Sequence, residues 1–142
     1  MHRYQPPRLF VALMLAYLFA SLGHFAHNAE FICSYPNLPS WLTTSKVYAS
    51  WIAITSVGVL GVALLHLGRV ALGLLVVGVY ASLGFDGLGH YALAPMAFHP
   101  LAANITILTE VAAGAVLLLA TGWLLARYLS RQVKDSLRIW QV

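Results

Sequence analysis

The sequence predicts an all-α integral membrane protein, a bundle of four transmembrane helices, and three observations support this fold class. Of the 142 residues, 61% are hydrophobic and 8% are charged, whereas soluble domains carry about a quarter charged residues. Four long apolar runs are separated by turn-forming or polar residues, and each run is close to the ~20 residues that a bilayer crossing requires. Seven of the eight Lys and Arg residues fall on one side of the topology that these runs define.

Helix 1 is expected over about residues 8–30, after a basic start that contains Arg3 and Arg8. A basic start and an apolar run are also typical of a secretory signal peptide. The helical character continues past the apolar run to a membrane-spanning length, so we interpret the segment as a retained helix. Residues 32–46 are rich in Pro, Asn, Ser and Thr, which favours a short outer loop with Tyr35 and Trp41 as interfacial anchors.

Helices 2 and 3 are predicted over about residues 47–67 and 69–93. The step between them is so short that they must form a tight antiparallel hairpin. Pro95 ends helix 3, because the residue before a proline disfavours helix. Helix 4 is expected over about residues 101–129, followed by a basic cytoplasmic tail at 130–142 that has the pattern of a short amphipathic interfacial helix. The whole chain is then one membrane domain.

The distribution of basic residues predicts the orientation of this domain. Lys46 alone lies on the side of the outer loop, and seven residues share the other side: Arg3, Arg8, Arg69, Arg127, Arg131, Lys134 and Arg138. Basic residues accumulate on the cytoplasmic side of membrane proteins, so both termini are expected in the cytoplasm, as in a bacterial inner-membrane protein. Because these residues lie at helix ends and form no basic face, the sequence does not indicate nucleic-acid binding.

Acidic residues inside the predicted helices indicate a functional site, because charge within a bilayer is costly. Asp86 and Glu110 each lie 17 positions from the basic residue at the inner end of their helix, and His24 lies 16 positions from Arg8. At 1.5 Å per residue, all three lie ~25 Å from the inner edge of a hydrocarbon core ~30 Å thick. Helices 1, 3 and 4 therefore bring polar groups to one layer near the outer face.

Spacing within each helix predicts that these groups also share faces. His24 and His27 are three residues apart, and Asp86 and His90 are four apart, separations that place side chains on one side of an α-helix. Because no Lys or Arg is placed to neutralise the carboxylates, a bound cation is the simplest partner for them, with protonation as the alternative. The predicted metal ligands are His24, His27, Asp86, His90 and Glu110, with His99 and Glu30 as further candidates.

Imidazole and carboxylate ligands together suit zinc, iron or copper rather than calcium or magnesium. Glu110 is the candidate catalytic residue, as a further ligand or a general base. The Asp86-X-X-X-His90 pair followed by His99 resembles, over residues 86–99, the metal motif on the membrane C subunit of copper-dependent methane and ammonia monooxygenases. That resemblance implies copper and oxygen chemistry.

The leading functional hypothesis is therefore an integral-membrane metalloenzyme, an oxidoreductase that acts on a small or lipophilic substrate reached from the outer leaflet. Three alternatives stay open: a metal or proton transport subunit, a b-type haem protein with axial ligands such as His24 and His90, and an accessory subunit of a larger membrane complex. Association into a homo-oligomer is compatible with each of them. The motifs of common hydrolases and nucleotide-binding loops are absent from the sequence.

Overall fold

Helices make up most of residues 4–139, which are the residues that the computed structural model describes. The five α-helices are α1 (Arg8–Glu30), α2 (Thr44–His66), α3 (Val70–Leu83), α4 (Gly89–Leu93) and α5 (Leu101–Ile139). Short 3-10 segments lie at Ile32–Ser34, Gly84–Leu88 and Met96–Phe98, and residues 4–139 contain no β-strand. Arg3 and residues 140–142 of the predicted tail lie outside the described residues.

Four helical segments are long and apolar enough to cross a membrane, so this part of the predicted fold class is confirmed. The segments are Arg8–Glu30, Thr44–His66, Val70–Leu93 and Leu101–Leu137. Large apolar side chains on their outward faces are exposed, as illustrated by Phe19, Val59 and Leu119 at 66%, 63% and 75% exposure. An apolar exterior of this kind suits lipid as the surrounding solvent.

Local chemistry explains where these helices begin and end. The Thr43 hydroxyl accepts a hydrogen bond from the Lys46 backbone N–H at 3.4 Å, a side-chain cap typical of a helix N-terminus. Gly68, with φ of 77°, makes the turn between α2 and α3, a left-handed conformation that glycine adopts without steric cost. Ala94, directly before Pro95, is extended at φ −155° and ψ 146°, as the proline stop predicts.

Helix 3 is not the continuous α-helix that the sequence predicts over residues 69–93. α3 ends at Leu83, a 3-10 segment occupies Gly84–Leu88, and the short α4 completes the span. The three glycines at 84, 87 and 89 lie in or next to this segment, and glycine favours α-helix less than most residues do. The tighter 3-10 winding has three residues per turn, so it changes which side chains share a face.

The C-terminal region also differs from the prediction, because α5 continues to Ile139 without a break. The 39 residues of α5 make a helix of about 58 Å at 1.5 Å per residue. The segment predicted as a separate tail is therefore the continuation of the fourth long helix. Good helix formers follow Arg127, and no Pro or Gly occurs between Arg127 and Ile139, so nothing in the sequence interrupts the helix there.

The helices pack closely where their facing residues are small. A methyl group added at Gly61 of α2 would lie 2.7 Å from Val77 Cγ2 of α3, which shows how near the two helices approach. The predicted tight hairpin of these helices is thus present. The apolar core in the half of the bundle near the chain termini includes Leu74, Val77 and Leu117, which are fully buried. We call the other half, which carries residues 31–43 and 94–100, the loop end.

Candidate functional site

A buried pair of ionisable side chains lies at the centre of the loop end. His24 of α1 and Glu110 of α5 approach with Nδ1 and Oε2 2.7 Å apart, and their side chains are 3% and 2% exposed. The two atoms are close, but their geometry is not that of a hydrogen bond. Neither carboxylate oxygen of Glu110 has a hydrogen-bond partner among residues 4–139. No Lys or Arg within the same residues forms a salt bridge with Glu110. His24 and Glu110 therefore meet at one level, as the depth argument predicts.

A glycine of the 3-10 segment Gly84–Leu88 allows that segment to cover this pair. A methyl group built on Gly87 would lie 2.9 Å from His24 Cε1 and 3.2 Å from His24 Nδ1. Because real Cβ atoms rarely approach other atoms this closely, only glycine lets the backbone lie directly against the imidazole. The imidazole is thus enclosed between α5 and the 3-10 segment.

His90 of α4 is the second imidazole of the site. Its ring centroid lies 5.4 Å from that of His24, and its Nε2 lies 3.0 Å from Asn28 Nδ2 of α1. If the Asn28 amide donates to Nε2, the ring proton of neutral His90 sits on Nδ1, which has no partner among the described residues. If the amide is reversed, Asn28 Oδ1 accepts from Nε2, and the Nδ1 lone pair is free to bind a ligand.

Tyr35, from the loop between α1 and α2, is inserted among the remaining histidines. The Tyr35 hydroxyl lies 2.8 Å from His27 Nδ1, and its ring lies 4.8 Å from that of His90 and 6.3 Å from that of His99. Tyr35 is 3% exposed, and this burial raises the pKa of its hydroxyl to about 12. The tyrosine is therefore neutral at physiological pH and available as a hydrogen-bond donor.

His99 closes the site from the segment that joins α4 to α5. Its Nδ1 lies 3.3 Å from the carbonyl oxygen of Pro95, and its ring lies 5.4 Å from that of Tyr91. His99 Nε2 is buried and has no hydrogen-bond partner among residues 4–139. His99 thus belongs to the same cluster as His90, with ring centroids 6.2 Å apart.

Asp86 lies at the edge of this cluster and not in its interior. It is exposed, and it lines a cavity of about 180 Å³ together with His24, Asn28, Ser50 and His90. The sequence places Asp86 and His90 on one face of an α-helix. In the structure Asp86 lies in the 3-10 segment and His90 in α4, so the span is not the regular α-helix on which that expectation rests, although both residues line the same cavity. The two residues reach the cavity from different turns of a distorted span.

Glu30 takes no part in the cluster. It is exposed, and one carboxylate oxygen accepts a hydrogen bond of 2.8 Å from the Tyr48 hydroxyl of α2. This contact joins the end of α1 to the start of α2 at the surface. Glu30 therefore links α1 and α2 through a hydrogen bond at the surface.

A polar face that was not predicted from the sequence runs along α1. Four residues on this face are at most 7% exposed: Tyr17, Ser21, His24 and Asn28. Their spacing of four, three and four residues continues the pattern of Phe10 and Met14, and it is the signal that marks the inward face of a helix. We call these four residues the α1 polar face. Tyr17 lies next to Tyr80 of α3, with ring centroids 4.7 Å apart.

The cluster has many polar atoms and few partners for them. Among residues 4–139, buried atoms without a hydrogen-bond partner include the hydroxyls of Tyr17 and Ser21, Asn28 Oδ1, His90 Nδ1, His99 Nε2 and both Glu110 oxygens. Buried polar groups normally have partners, so this concentration makes the loop end and the adjoining α1 polar face the candidate functional site. No three His, Cys, Asp or Glu side chains within these residues converge on one point as metal ligands.

Comparison with known protein families, with curated proteins and with solved structures found no match to this chain.

Proposed function

We propose that this chain is an integral-membrane metalloprotein that binds a transition-metal ion beside His24 and acts as a metal-dependent oxidoreductase on a small or lipophilic substrate. The observation that carries the proposal is the buried His24 and Glu110 pair with a second imidazole, His90, alongside it. A buried carboxylate whose only basic neighbour is an imidazole needs either a bound cation or a proton, on itself or on that imidazole, to offset its charge. A metal ion is the cation that two imidazoles select.

The proposed orientation places both chain termini in the cytoplasm and the loop end near the outer leaflet. It is supported by the Lys and Arg distribution, in which Lys46 alone lies at the loop end. Exposed apolar residues such as Phe19, Val59 and Leu119 support insertion into lipid. The site then lies where a substrate enters from the outer face without crossing the bilayer.

In the proposed centre, His24 and His90 are the imidazole ligands. Glu110 beside His24 Nδ1 leaves Nε2 as the atom for the metal, an arrangement in which a carboxylate orients a histidine ligand and strengthens its basicity. His90 offers Nδ1 when Asn28 Oδ1 accepts its Nε2 proton. Asp86, at the cavity edge, supplies an oxygen ligand. Because these groups do not converge in the structure, the proposal requires side-chain rotation of His90 and Asp86 on binding.

The oxidoreductase part of the proposal rests on the cavity beside this ligand set. Phe25, Leu42 and Val47 supply apolar walls, while Ser50 and Asp86 supply polar groups. A cavity of about 180 Å³ suits a small molecule, and mixed walls of this kind are typical of ligand sites. Copper or iron is the metal that would provide redox chemistry there, whereas zinc would act as a Lewis acid.

Proton transfer is a second candidate function, and one observation favours it. The α1 polar face extends inward from His24 through Ser21 to Tyr17, and both hydroxyls lack hydrogen-bond partners among residues 4–139. Hydroxyl groups both donate and accept protons, so these residues provide the inner polar groups that a pathway from Glu110 requires. Haem binding is less favoured, because the rings of His24 and His90, 5.4 Å apart, lie too close to hold a macrocycle between them.

Metal analysis of the purified protein tests the proposal. We expect bound copper, iron or zinc in the wild type by elemental analysis, with an optical spectrum to separate copper, iron and haem. His24→Ala should lose the metal. His66→Ala is the matched control, because His66 is an exposed histidine at the opposite end of the bundle. A protein without metal after growth and reconstitution with each ion, or a His24→Ala variant that keeps it, contradicts the metal proposal.

A further inference from the structure

We propose that Tyr35 is a redox-active tyrosine, which is oxidised to a neutral radical while its proton passes to His27. The inference rests on the proposed function only for the identity of the working oxidant, which would be the oxidised transition-metal centre. The tyrosine and its proton acceptor are both residues of this chain. Their arrangement is therefore testable without any metal.

The hydrogen bond between the two side chains is the first observation. The Tyr35 hydroxyl and His27 Nδ1 are 2.8 Å apart. When neutral His27 carries its proton on Nε2, its Nδ1 accepts a hydrogen bond from the Tyr35 hydroxyl, and this is the tautomer that the proposal requires. His27 is only partly buried, so an imidazolium formed there can be solvated and can pass its second proton to water.

Among the tyrosines of residues 4–139, this hydrogen bond to an imidazole is particular to Tyr35. The Tyr48 hydroxyl donates to an oxygen of Glu30 at the surface, and the Tyr91 hydroxyl donates to Asn104 Oδ1. A carboxamide oxygen is a poor proton acceptor, and a carboxylate is a weaker base in water than an imidazole. Tyr35 alone therefore combines burial with an adjacent base of suitable strength.

The oxidation step is balanced as follows. Neutral Tyr35 loses one electron to a one-electron oxidant, the phenolic O–H bond breaks, and the proton forms an N–H bond at His27 Nδ1. The products are a neutral phenoxyl radical, a His27 imidazolium and the oxidant reduced by one electron. Without the base, oxidation would leave a strongly acidic phenol cation in a buried position, which is costly.

The surroundings connect Tyr35 to the proposed centre. The ring of Tyr35 lies 4.8 Å from that of His90, and the ring of His90 lies 5.4 Å from that of His24. Aromatic rings at these separations are in direct contact. The titratable groups that face Tyr35 are the imidazoles of His27, His90 and His99 and the hydroxyl of Tyr91. The radical that forms on Tyr35 is neutral, and the positive charge that the step creates lies on His27, which is only partly buried.

The experiment uses the full chain in detergent, treated with a chelator and oxidised by photogenerated tris(bipyridine)ruthenium(III). We expect an electron paramagnetic resonance signal of a long-lived tyrosyl radical, which Tyr35→Phe abolishes. Tyr48→Phe is the matched control and should leave the signal unchanged. His27→Gln, which keeps a polar side chain but removes the imidazole base, should lower the radical yield at least ~10-fold, a lower bound on the ~100- to 10,000-fold that a positioned general base contributes.

A fluorinated tyrosine introduced at position 35 keeps the test independent of folding defects in Tyr35→Phe. Fluorine on the ring changes the hyperfine pattern of the radical only if the unpaired electron is located on Tyr35. A wild-type pattern after this replacement, or an unchanged yield in His27→Gln, would overturn the proposal. Because the metal is removed beforehand, such a failure is distinct from a failure of the metal proposal.

Discussion

At the scale of single residues, Glu110 is the group whose environment departs most from that of an ordinary side chain. It is 1% exposed, its neighbour is the imidazole of His24, and neither of its oxygens has a hydrogen-bond partner among the described residues. An isolated buried carboxylate is strongly unfavourable. Its role in the proposed centre is to orient His24 and to supply negative charge next to a cation.

Replacing Glu110 with glutamine tests this role with almost no change in volume. We expect Glu110→Gln to weaken metal binding about 10- to 100-fold, the usual effect of losing a carboxylate that supports a histidine ligand. Competition with a chelator measures the affinity. Glu30→Gln is the matched control, because Glu30 is an exposed carboxylate bonded to Tyr48. If both variants bind the metal with equal affinity, Glu110 is not part of the centre.

Gly87 offers a second test at this scale, because its lack of a side chain positions His24. In Gly87→Ala the new methyl group would lie 2.9 Å from His24 Cε1, so the imidazole must leave its present position beside Glu110. We expect the variant to lose about 1–3 kcal/mol of stability, a usual cost of overpacking, and to lose metal. Thermal melting in detergent and elemental analysis measure the two effects.

Gly89→Ala is the control for that experiment. Gly89 lies two residues further along the same span, and nothing lies within 4 Å of a methyl group built on it. This variant should melt like the wild type and keep its metal. If Gly87→Ala behaves in the same way, the close contact between Gly87 and His24 does not position the imidazole.

At the scale of elements, the change from α-helix to 3-10 winding at Gly84–Leu88 decides which residues of the third span enter the site. In a regular α-helix, Asp86 and His90 would share a face. The tighter winding instead leaves Asp86 exposed and brings the Gly87 backbone against His24. Local tightening of this kind inside a helix often marks a functional position.

The contact between α2 and α3 makes a prediction about the hairpin itself. A methyl group on Gly61 would lie 2.7 Å from Val77 Cγ2 and 3.3 Å from the Gly73 carbonyl oxygen. We expect Gly61→Ala to separate the helices and to cost about 1–3 kcal/mol, measured as a lower melting temperature in detergent. The matched control is Gly122→Ala in α5, where nothing lies within 4 Å of the added methyl group.

The control should be neutral or more stable, because alanine favours a helix interior by about 1 kcal/mol over glycine. A Gly61→Ala variant as stable as Gly122→Ala would mean that α2 and α3 tolerate a wider separation. Small residues allow helices to approach closely in lipid, where the hydrophobic effect does not drive them together. The hairpin is therefore the element most sensitive to added volume.

At the scale of the whole molecule, the proposed topology places the loop end outside and both termini inside. Cys33 makes this testable, because it is the only cysteine of the chain and is exposed in the loop between α1 and α2. A membrane-impermeant maleimide should label Cys33 in intact cells. If Cys33 is labelled only in permeabilised cells, the orientation is the opposite of the proposed one.

The matched control moves the reporter to the other end of the bundle. In a Cys33→Ser background, Ser130→Cys places a thiol at an exposed position near the C-terminal end of α5. We expect this thiol to react only after permeabilisation. The two labelling patterns together test the orientation. Cys33 outside and the thiol at position 130 inside would show that the loop end faces out, and the reverse pattern would show an inverted chain.

The sequence allowed the long helices, and the common level of His24 and Glu110 along them, to be predicted, because both follow from local properties of the chain. Apolar runs and Pro95 set the spans, and a rise of 1.5 Å per residue sets the depth. His24 and Glu110 could therefore be matched across two helices far apart in sequence. Tyr35 could not be placed in the cluster in this way, because a loop residue has no fixed depth or face until the loop packs.

The composition and the order of residues thus determine an apolar helical chain with three of its four acidic residues and four of its six histidines near one end, since hydropathy and helix geometry act along the chain itself. The tertiary structure decides which of those groups meet. It pairs His24 with Glu110, inserts Tyr35 beside His27, and leaves Asp86 and Glu30 exposed. The physical reason is that helix rotation, 3-10 winding and loop packing depend on contacts between distant segments, and periodicity within one segment does not contain them.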